Sequence, residues 1–385
     1  MLWPSVLGAQ SQQDVANIAL LRAAAVGRAD MVSYALDKGA KIETRTPRGG
    51  LTALIVAAGA GHDAIVRILL KRGARIDAGD RNKRTSLMAA AEAGRIQVVK
   101  TLIGKKAKLR LRESRYGHTA LLLAARNGRP IVISALAGAG ADVNTKDRRD
   151  GLSALMLAAA GRGRRGDPRT NHAGAIAELL ALGANVNARA KDGWTALMAA
   201  ASVARRAGIQ LLIDAGANAN AATRDGRTAL LVAAAGTDIE TVRELVRAKA
   251  DIEARARNGS TPLGRAAMAG SPAIARFLLD SGARIEAPGR DGNRPLMQAV
   301  KARRAGLADM LLDRGADANG RGANDGNTAL MLAANRDDIA MVRRLLAAGA
   351  DVKARAKDGW TALKAARMVG AWDIMEILRR AGAGH

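Results

Sequence analysis

The chain repeats itself at a period of 33 or 34 residues along nearly its whole length. The clearest copies begin TALIVAAGAG at Thr52, TALLLAARNG at Thr119, TALLVAAAGT at Thr228 and TALMLAANRD at Thr328. The same frame continues at seven further positions: Ile18, Thr85, Ser153, Thr195, Thr261, Arg294 and Thr361. Fixed self-similarity on this scale is typical of stacked-repeat proteins rather than of globular enzymes.

One repeat shows what each unit folds into. Asp192-Gly193 is a turn signal, and Thr195 is placed to cap the N-terminus of a short Ala-rich helix. A second helix covers Ile209 and the apolar residues after it, and Gly216 follows where a helix end favours the left-handed conformation. Two such helices cannot bury their apolar faces alone. The sequence therefore predicts an all-α solenoid of about eleven stacked repeats.

The motifs within this frame resemble those of the ankyrin-repeat family. Thr261-Pro262-Leu263 matches the start of the family's first helix, and Gly140-Ala141-Asp142-Val143-Asn144 matches its closing stretch. The resemblance covers residues 18–385 and implies β-hairpin fingers, a concave binding face and protein partners. The family's His after T-P-L is absent, and five copies have a methionine that we expect in the core: Met88, Met156, Met198, Met297 and Met331.

The frame also divides the chain. Residues 1–17 form an N-terminal extension and residues 18–385 the solenoid, with an insertion of about nine residues at 161–170. The extension resembles the tail of a truncated secretory signal peptide, and an ordinary frayed terminus is the alternative. The chain has no cysteine, which excludes disulfides and thiolate chemistry but leaves the compartment open: cytoplasmic by default, exported if the signal is real.

Positive charge is the second unusual feature, because 61 Lys and Arg against 35 acids give a net charge of +26. Some cations, such as Arg72 and Arg314, suit the negative ends of second helices. Lys83 and Arg294 replace the Gly and Thr of the turn, which predicts locally altered hairpins.

The densest basic segment precedes Thr119, and its cations alternate with apolar residues. Alternation predicts an extended segment with the cations on one side. An anionic partner is the functional interpretation, and a solvated basic edge is the alternative. The candidate residues are Lys105, Lys106, Lys108, Arg110 and Arg112, with Arg115 and Tyr116 near the tip of the finger.

Two further sets complete the candidates for partner binding. The insertion contributes four arginines, which are Arg162, Arg164, Arg165 and Arg169, and tolerated drift is the alternative explanation for it. Trp194 and Trp360 occupy the same register beside the turn, either as exposed anchors or packed flat on the neighbouring finger.

No catalytic, metal-binding or cofactor-binding constellation is visible. The four histidines lie in different repeats, and the acids recur in turn positions as structural residues would. No apolar run is long enough to span a membrane. The leading hypothesis is a monomeric, non-enzymatic scaffold that binds another protein, with an acidic protein suiting its charge. The alternative is a binder of an anionic polymer, either nucleic acid or a charged envelope component.

Overall fold

A computed structural model describes residues 11–161, 170–289 and 292–384. Within them the chain forms 22 α-helices and no sheet, only three isolated β-bridges, so the predicted all-α repeat architecture is confirmed. The first helices of successive pairs are α1 Gln12–Val26, α3 Ala53–Ala60, α5 Ser86–Ala93, α7 Ala120–Arg126, α9 Ala154–Ala160, α11 Ala196–Ser202, α13 Ala229–Ala233, α15 Pro262–Ala269, α17 Pro295–Lys301, α19 Ala329–Ala334 and α21 Ala362–Met368. The second helices are α2 Ala29–Asp37, α4 Asp63–Lys71, α6 Ile96–Gly104, α8 Pro130–Gly138, α10 His172–Ala181, α12 Arg206–Asp214, α14 Ile239–Arg247, α16 Pro272–Asp280, α18 Ala305–Asp313, α20 Ile339–Ala347 and α22 Trp372–Arg380.

A hydroxyl at the start of the repeat begins most first helices. The Thr195 Oγ1 accepts a hydrogen bond from the Met198 amide at 3.3 Å, as the sequence predicted. The same cap occurs at eight other starts: Thr52, Thr85, Thr119, Ser153, Thr228, Thr261, Thr328 and Thr361. Each such cap contributes about 1 kcal/mol to helix stability.

The helices form two compact units, each with rows of first and second helices. In the first unit, which runs to Lys191 and includes Asp214–Gly216, α1, α3, α5, α7 and α9 stack in sequence, as do α2, α4, α6, α8 and α10. In the second unit, α11 to α21 make the corresponding row of first helices. The five methionines that replace the family histidine are at most 1% exposed, which confirms their core role.

Hairpin fingers of two lengths precede the first helices and explain the two repeat spacings. In a long finger the Thr46 amide donates to the Leu51 carbonyl at 2.9 Å, five residues on. In a short finger the Asp80 amide donates to the Arg84 carbonyl at 3.0 Å, four residues on. Long fingers precede Thr52, Thr119, Ser153 and Thr328, the starts that follow a 34-residue step.

The prediction of altered hairpins at Lys83 and Arg294 is wrong for the backbone. Lys83 takes the left-handed conformation of the glycine it replaces, with φ of 59°, and its finger keeps the short pattern. Arg294 provides no side-chain cap, although its backbone is extended like that of the threonines. Its guanidinium instead reaches Glu286 at 2.6 Å and Asp317 at 3.3 Å.

The first helix of the described residues begins before the frame's first register. Helix α1 begins at Gln12 with Ser11 as its cap, so it extends on both sides of Ile18. Across the described ranges, none of the helices combines the length and the apolarity that crossing a bilayer needs.

Candidate binding surface at the finger tips

Backbone hydrogen bonds join the finger tips of the first unit in a row. The Ser114 amide donates to the Asn82 carbonyl at 2.8 Å, and the Arg148 amide donates to the Tyr116 carbonyl at 3.0 Å. Similar bonds run from Arg81 to Gly49 at 3.1 Å and from Lys191 to Asp150 at 2.9 Å. Neighbouring tips are therefore held at a fixed spacing.

Acidic side chains hold the fingers from the inside. Glu113 is 8% exposed and accepts the amides of Arg115, Tyr116 and His118 at 2.6, 2.8 and 3.0 Å. Burial acts to raise the pKa of Glu113, but these donors and the nearby His118 outweigh it and hold the pKa below its usual value. Asp147 likewise accepts three amides within its own finger.

Cations occupy the outside of the same fingers. We call these six exposed residues the basic stripe: Arg48, Arg81, Lys83, Arg115, Arg148 and Arg149. Within the described chain, the side chains of Arg48, Arg81, Lys83 and Arg148 have no hydrogen-bond or ion-pair partner. Asp150 is the one exposed acid among the tips, and its carboxylate lies 3.9 Å from the Arg149 guanidinium.

Tyr116 lies among the residues of the basic stripe, and its ring already contacts neighbouring side chains. The guanidinium carbons of Arg115, Arg149 and Arg126 lie 5.1, 5.3 and 5.8 Å from the ring centroid. The His118 ring stacks on it at 5.2 Å with an interplanar angle of 21°. The contacts of Arg126 and Arg149 were not predicted, because both residues lie outside the dense basic segment.

A different signal in the sequence would have found the basic stripe. Arg48, Arg81, Arg115 and Arg149 each stand four residues before a helix cap, so they recur at the period of the repeat. A search for contiguous charge misses such a set, because its members come together only when the repeats stack.

The predicted basic segment has a different shape from the one expected. Lys105 and Lys106 lie in the turn that ends α6, and Leu109-Arg110 forms another turn, so the segment is not an extended strand. Lys105, Lys106, Lys108 and Arg110 are exposed and have no side-chain partner in the described ranges. They lie on the loop before the finger, whereas Arg115 and Tyr116 are at its tip.

Arg112 has a structural role. Its guanidinium donates to the carbonyls of Gly117 at 2.6 Å and Lys146 at 2.8 Å, and to the Thr145 hydroxyl at 3.0 Å. Bonds of this kind, from a cation to a backbone carbonyl about one repeat away, are also made by Arg45, Arg95, Arg129, Arg255, Arg304, Arg321 and Lys357. Much of the positive charge therefore holds repeats together.

The arginines at the ends of second helices also connect repeats. Arg72 pairs with Asp37 at 2.9 Å, and Arg314 pairs with Asp280 at 2.6 Å, in each case on the preceding second helix. Each arginine thus forms an ion pair between repeats, in addition to the expected interaction with the negative C-terminal end of its own second helix. Such exposed pairs each contribute about 0.2–1 kcal/mol.

The two tryptophans differ in their surroundings. Trp194 is half-buried, and the Arg227 guanidinium of the next finger lies 5.6 Å from its ring centroid. Trp360 is equally half-buried, without a cation over its ring among the described residues. Arg162, Arg164, Arg165 and Arg169 lie outside the described residues.

The described ranges contain no group of three or more His, Asp or Glu side chains that could hold a metal ion. The groove nearest to the predicted basic segment has a volume of about 420 Å³ and is lined by Leu109, Arg110, Arg112 and Asp142 among others. The residues that line this groove contain no catalytic arrangement of acid, base and nucleophile.

Comparison with known families agrees with the helix pairs, capping hydroxyls and fingers. A model described as ankyrin repeats in three copies matches residues 20–113, 87–165, 135–221, 155–256 and 233–321. A second model, described as ankyrin repeats in many copies, matches residues 320–366. A search of curated proteins found no match to the chain. The chain belongs to the ankyrin-repeat family.

Proposed function

We propose that this chain is a non-catalytic scaffold that binds another protein through its finger tips and the adjoining starts of its first helices. This surface would be the concave side of a repeat solenoid. Ankyrin repeats are generally protein–protein interaction modules, and proteins built from them are typically not enzymes. One observation supports the location: the tips form a hydrogen-bonded row, and four of its outward cations, Arg48, Arg81, Lys83 and Arg148, have no side-chain partner in the described chain.

The row is suited to binding because it is organised before a partner arrives. Glu113 and Asp147 satisfy the amides of their turns, so the finger backbone has little freedom to lose on association. A preformed surface loses less conformational entropy when it binds, and this leaves more of the contact energy as affinity.

Binding to an anionic polymer is the second candidate, and the basic stripe is the observation that favours it. Lys105, Lys106, Lys108 and Arg110 would extend such a surface. Proteins that bind single-stranded nucleic acid stack bases on aromatic side chains. Tyr116 is the one aromatic residue in the four fingers, and its ring already contacts His118 and three arginines. We therefore rank a protein partner first.

The proposal is tested by affinity capture with the full chain on a solid support. Native extract is applied at about 0.1 M and about 0.5 M salt, because screening separates weak charge contacts from a packed interface. We expect a discrete protein to be retained by the wild type at both concentrations and to be reduced by the triple change Arg48→Gln, Arg81→Gln and Arg148→Gln.

The control is a second triple variant with the same loss of charge. Lys71, Lys100 and Arg276 are exposed on second helices and have no side-chain partner in the described chain. Their replacement by glutamine should leave capture unchanged. Equal losses from both variants, or nucleic acid as the retained material, would contradict the proposal.

A further inference from the structure

We infer that the basic stripe binds an extended acidic segment of the partner protein, with carboxylates at about every third residue. The inference rests on the proposed function and adds the chemistry of the ligand. Three properties of the fingers support it: a local excess of charge, a lysine placed where the backbone favours glycine, and a regular spacing.

Exposed cations with no acid directly after them are concentrated in the first three fingers of the first unit. In the second unit a cation again stands four residues before several caps, and an exposed aspartate follows it in Arg224-Asp225 and Lys357-Asp358, whereas Arg257 is followed by Asn258. Asp225 also pairs with Arg227 at 2.8 Å. In the first three fingers the corresponding residues are Gly49, Asn82 and Tyr116, so no exposed acid follows Arg48, Arg81 or Arg115, and Asp150 beside Arg149 is the exception in the fourth. Unpaired cations in a row attract a ligand with the opposite pattern of charge.

Lys83 occupies a position that nine other fingers give to glycine, all at positive φ. A lysine in the left-handed region is less favourable than a glycine, because its Cβ crowds the backbone. The Lys83 side chain is exposed and makes no contact that would offset this strain within the described chain. Strained residues of this kind cluster at sites where function requires the side chain. Here the side chain adds a cation to the basic stripe.

The spacing of the fingers selects an extended polypeptide. Packed helices lie about 8–10 Å apart, and the single backbone bonds between tips keep neighbouring fingers at the same step. An extended chain advances about 3.3 Å per residue, so three residues span one finger. Arg48, Arg81, Arg115 and Arg149 could then each meet one carboxylate of such a segment.

The probe is a fluorescent synthetic peptide with glutamate at every third position and Gly or Ser between. Two comparison probes carry the same charge: a peptide with consecutive glutamates and a single-stranded oligonucleotide. Anisotropy with the full chain should show the spaced peptide binding more tightly than either, by about threefold or more. Tighter binding of the oligonucleotide, with the same loss in stripe variants, would make the surface a nucleic-acid site and overturn the inference.

Matched variants locate the binding. Lys83→Gly should weaken the spaced peptide about two- to fivefold, the range expected for one exposed ion pair. Lys106→Gly removes one cation from a residue with the same backbone strain, φ of 62°, but outside the stripe. It should leave affinity unchanged. Equal effects of the two variants, or none from Lys83→Gly, would overturn the inference.

The same variants separate this inference from the proposed function. If the wild type captures a protein partner and Lys83→Gly with Arg148→Gln captures it equally well, the scaffold stands and the acidic-segment inference fails. If the spaced peptide binds the stripe but no protein partner is retained, the scaffold proposal fails instead. Retention of an acidic partner by the wild type, lost in this double variant, supports both.

Discussion

Replacement of Lys106 by glycine is expected to stabilise the chain, and the reason lies in the backbone alone. Lys106 follows α6 with φ of 62°, in the register where nine other second helices are followed by glycine at positive φ. At the neighbouring glycines Gly73 and Gly140, an added Cβ would meet no atom within 4 Å. Lys106 itself is exposed and lacks a side-chain partner in the described ranges.

The magnitude follows from two opposing effects. A non-glycine residue in the left-handed region costs about 1–2 kcal/mol. Glycine makes the unfolded chain more flexible, which lowers the gain by about 0.4–1 kcal/mol. We therefore expect Lys106→Gly to raise the free energy of unfolding by about 0.5–1 kcal/mol. Lys249 has φ of 60° in the same register and should respond alike.

Urea denaturation followed by circular dichroism measures the effect, with Lys108→Gly as the matched control. Lys108 is exposed and lies outside the positive-φ residues, so its replacement removes the same charge without relieving strain. It should lower stability by a few tenths of a kcal/mol or more. If Lys106→Gly is no more stable than the wild type, or if both variants gain equally, the backbone explanation is wrong.

Three further predictions concern individual contacts. Arg110 stands where other repeats have an Asn, Asp or Glu side chain that accepts an amide of the next repeat, as Asp77 accepts the Lys108 amide at 3.0 Å. Arg110→Asn should restore this acceptor and raise the free energy of unfolding by about 0.5–1.5 kcal/mol, measured by urea denaturation. An Arg110→Asn variant no more stable than the wild type would refute a stabilising role for an acceptor at this position. Burial, partly opposed by nearby carboxylates, lowers the pKa of His118, so its contribution to stability is present above about pH 6.5 and lost as pH falls. His118→Leu should therefore make the melting temperature depend less on pH between pH 7.5 and 5.5. An unchanged pH dependence in this variant would show that other groups cause it. Thr228→Ala removes a cap and should cost about 1 kcal/mol by thermal melting, an effect that Thr228→Ser should restore.

The local features of the repeat were predictable because they depend on neighbours in sequence. The cap at Thr195 and the turn at Gly193 follow from residue type and position, and Met198 is buried as its place in the helix requires. The spacing between repeat starts also predicts the length of each finger, because the extra residue of a 34-residue step lies in the hairpin.

The role of individual cations was not predictable from a single repeat. The alternating pattern predicts Arg112 in an exposed basic row, yet Arg112 donates to a carbonyl 34 residues away. Such partners belong to the next copy, and only stacking brings them together. The same reason hid the basic stripe, whose fingers are one repeat apart, while the lysines at 105, 106 and 108 pointed to the loop before the finger.

Hydrogen exchange of the full chain, alone and bound to its captured protein, tests the central claim most directly. Amides that a partner covers exchange more slowly, and the fingers lie far enough apart in sequence to be followed in separate proteolytic peptides. We expect slower exchange in the bound state at residues 47–50, 80–84, 113–118 and 147–152. Slower exchange confined to the second helices or to the loop at 105–110, with the fingers unchanged, would contradict it.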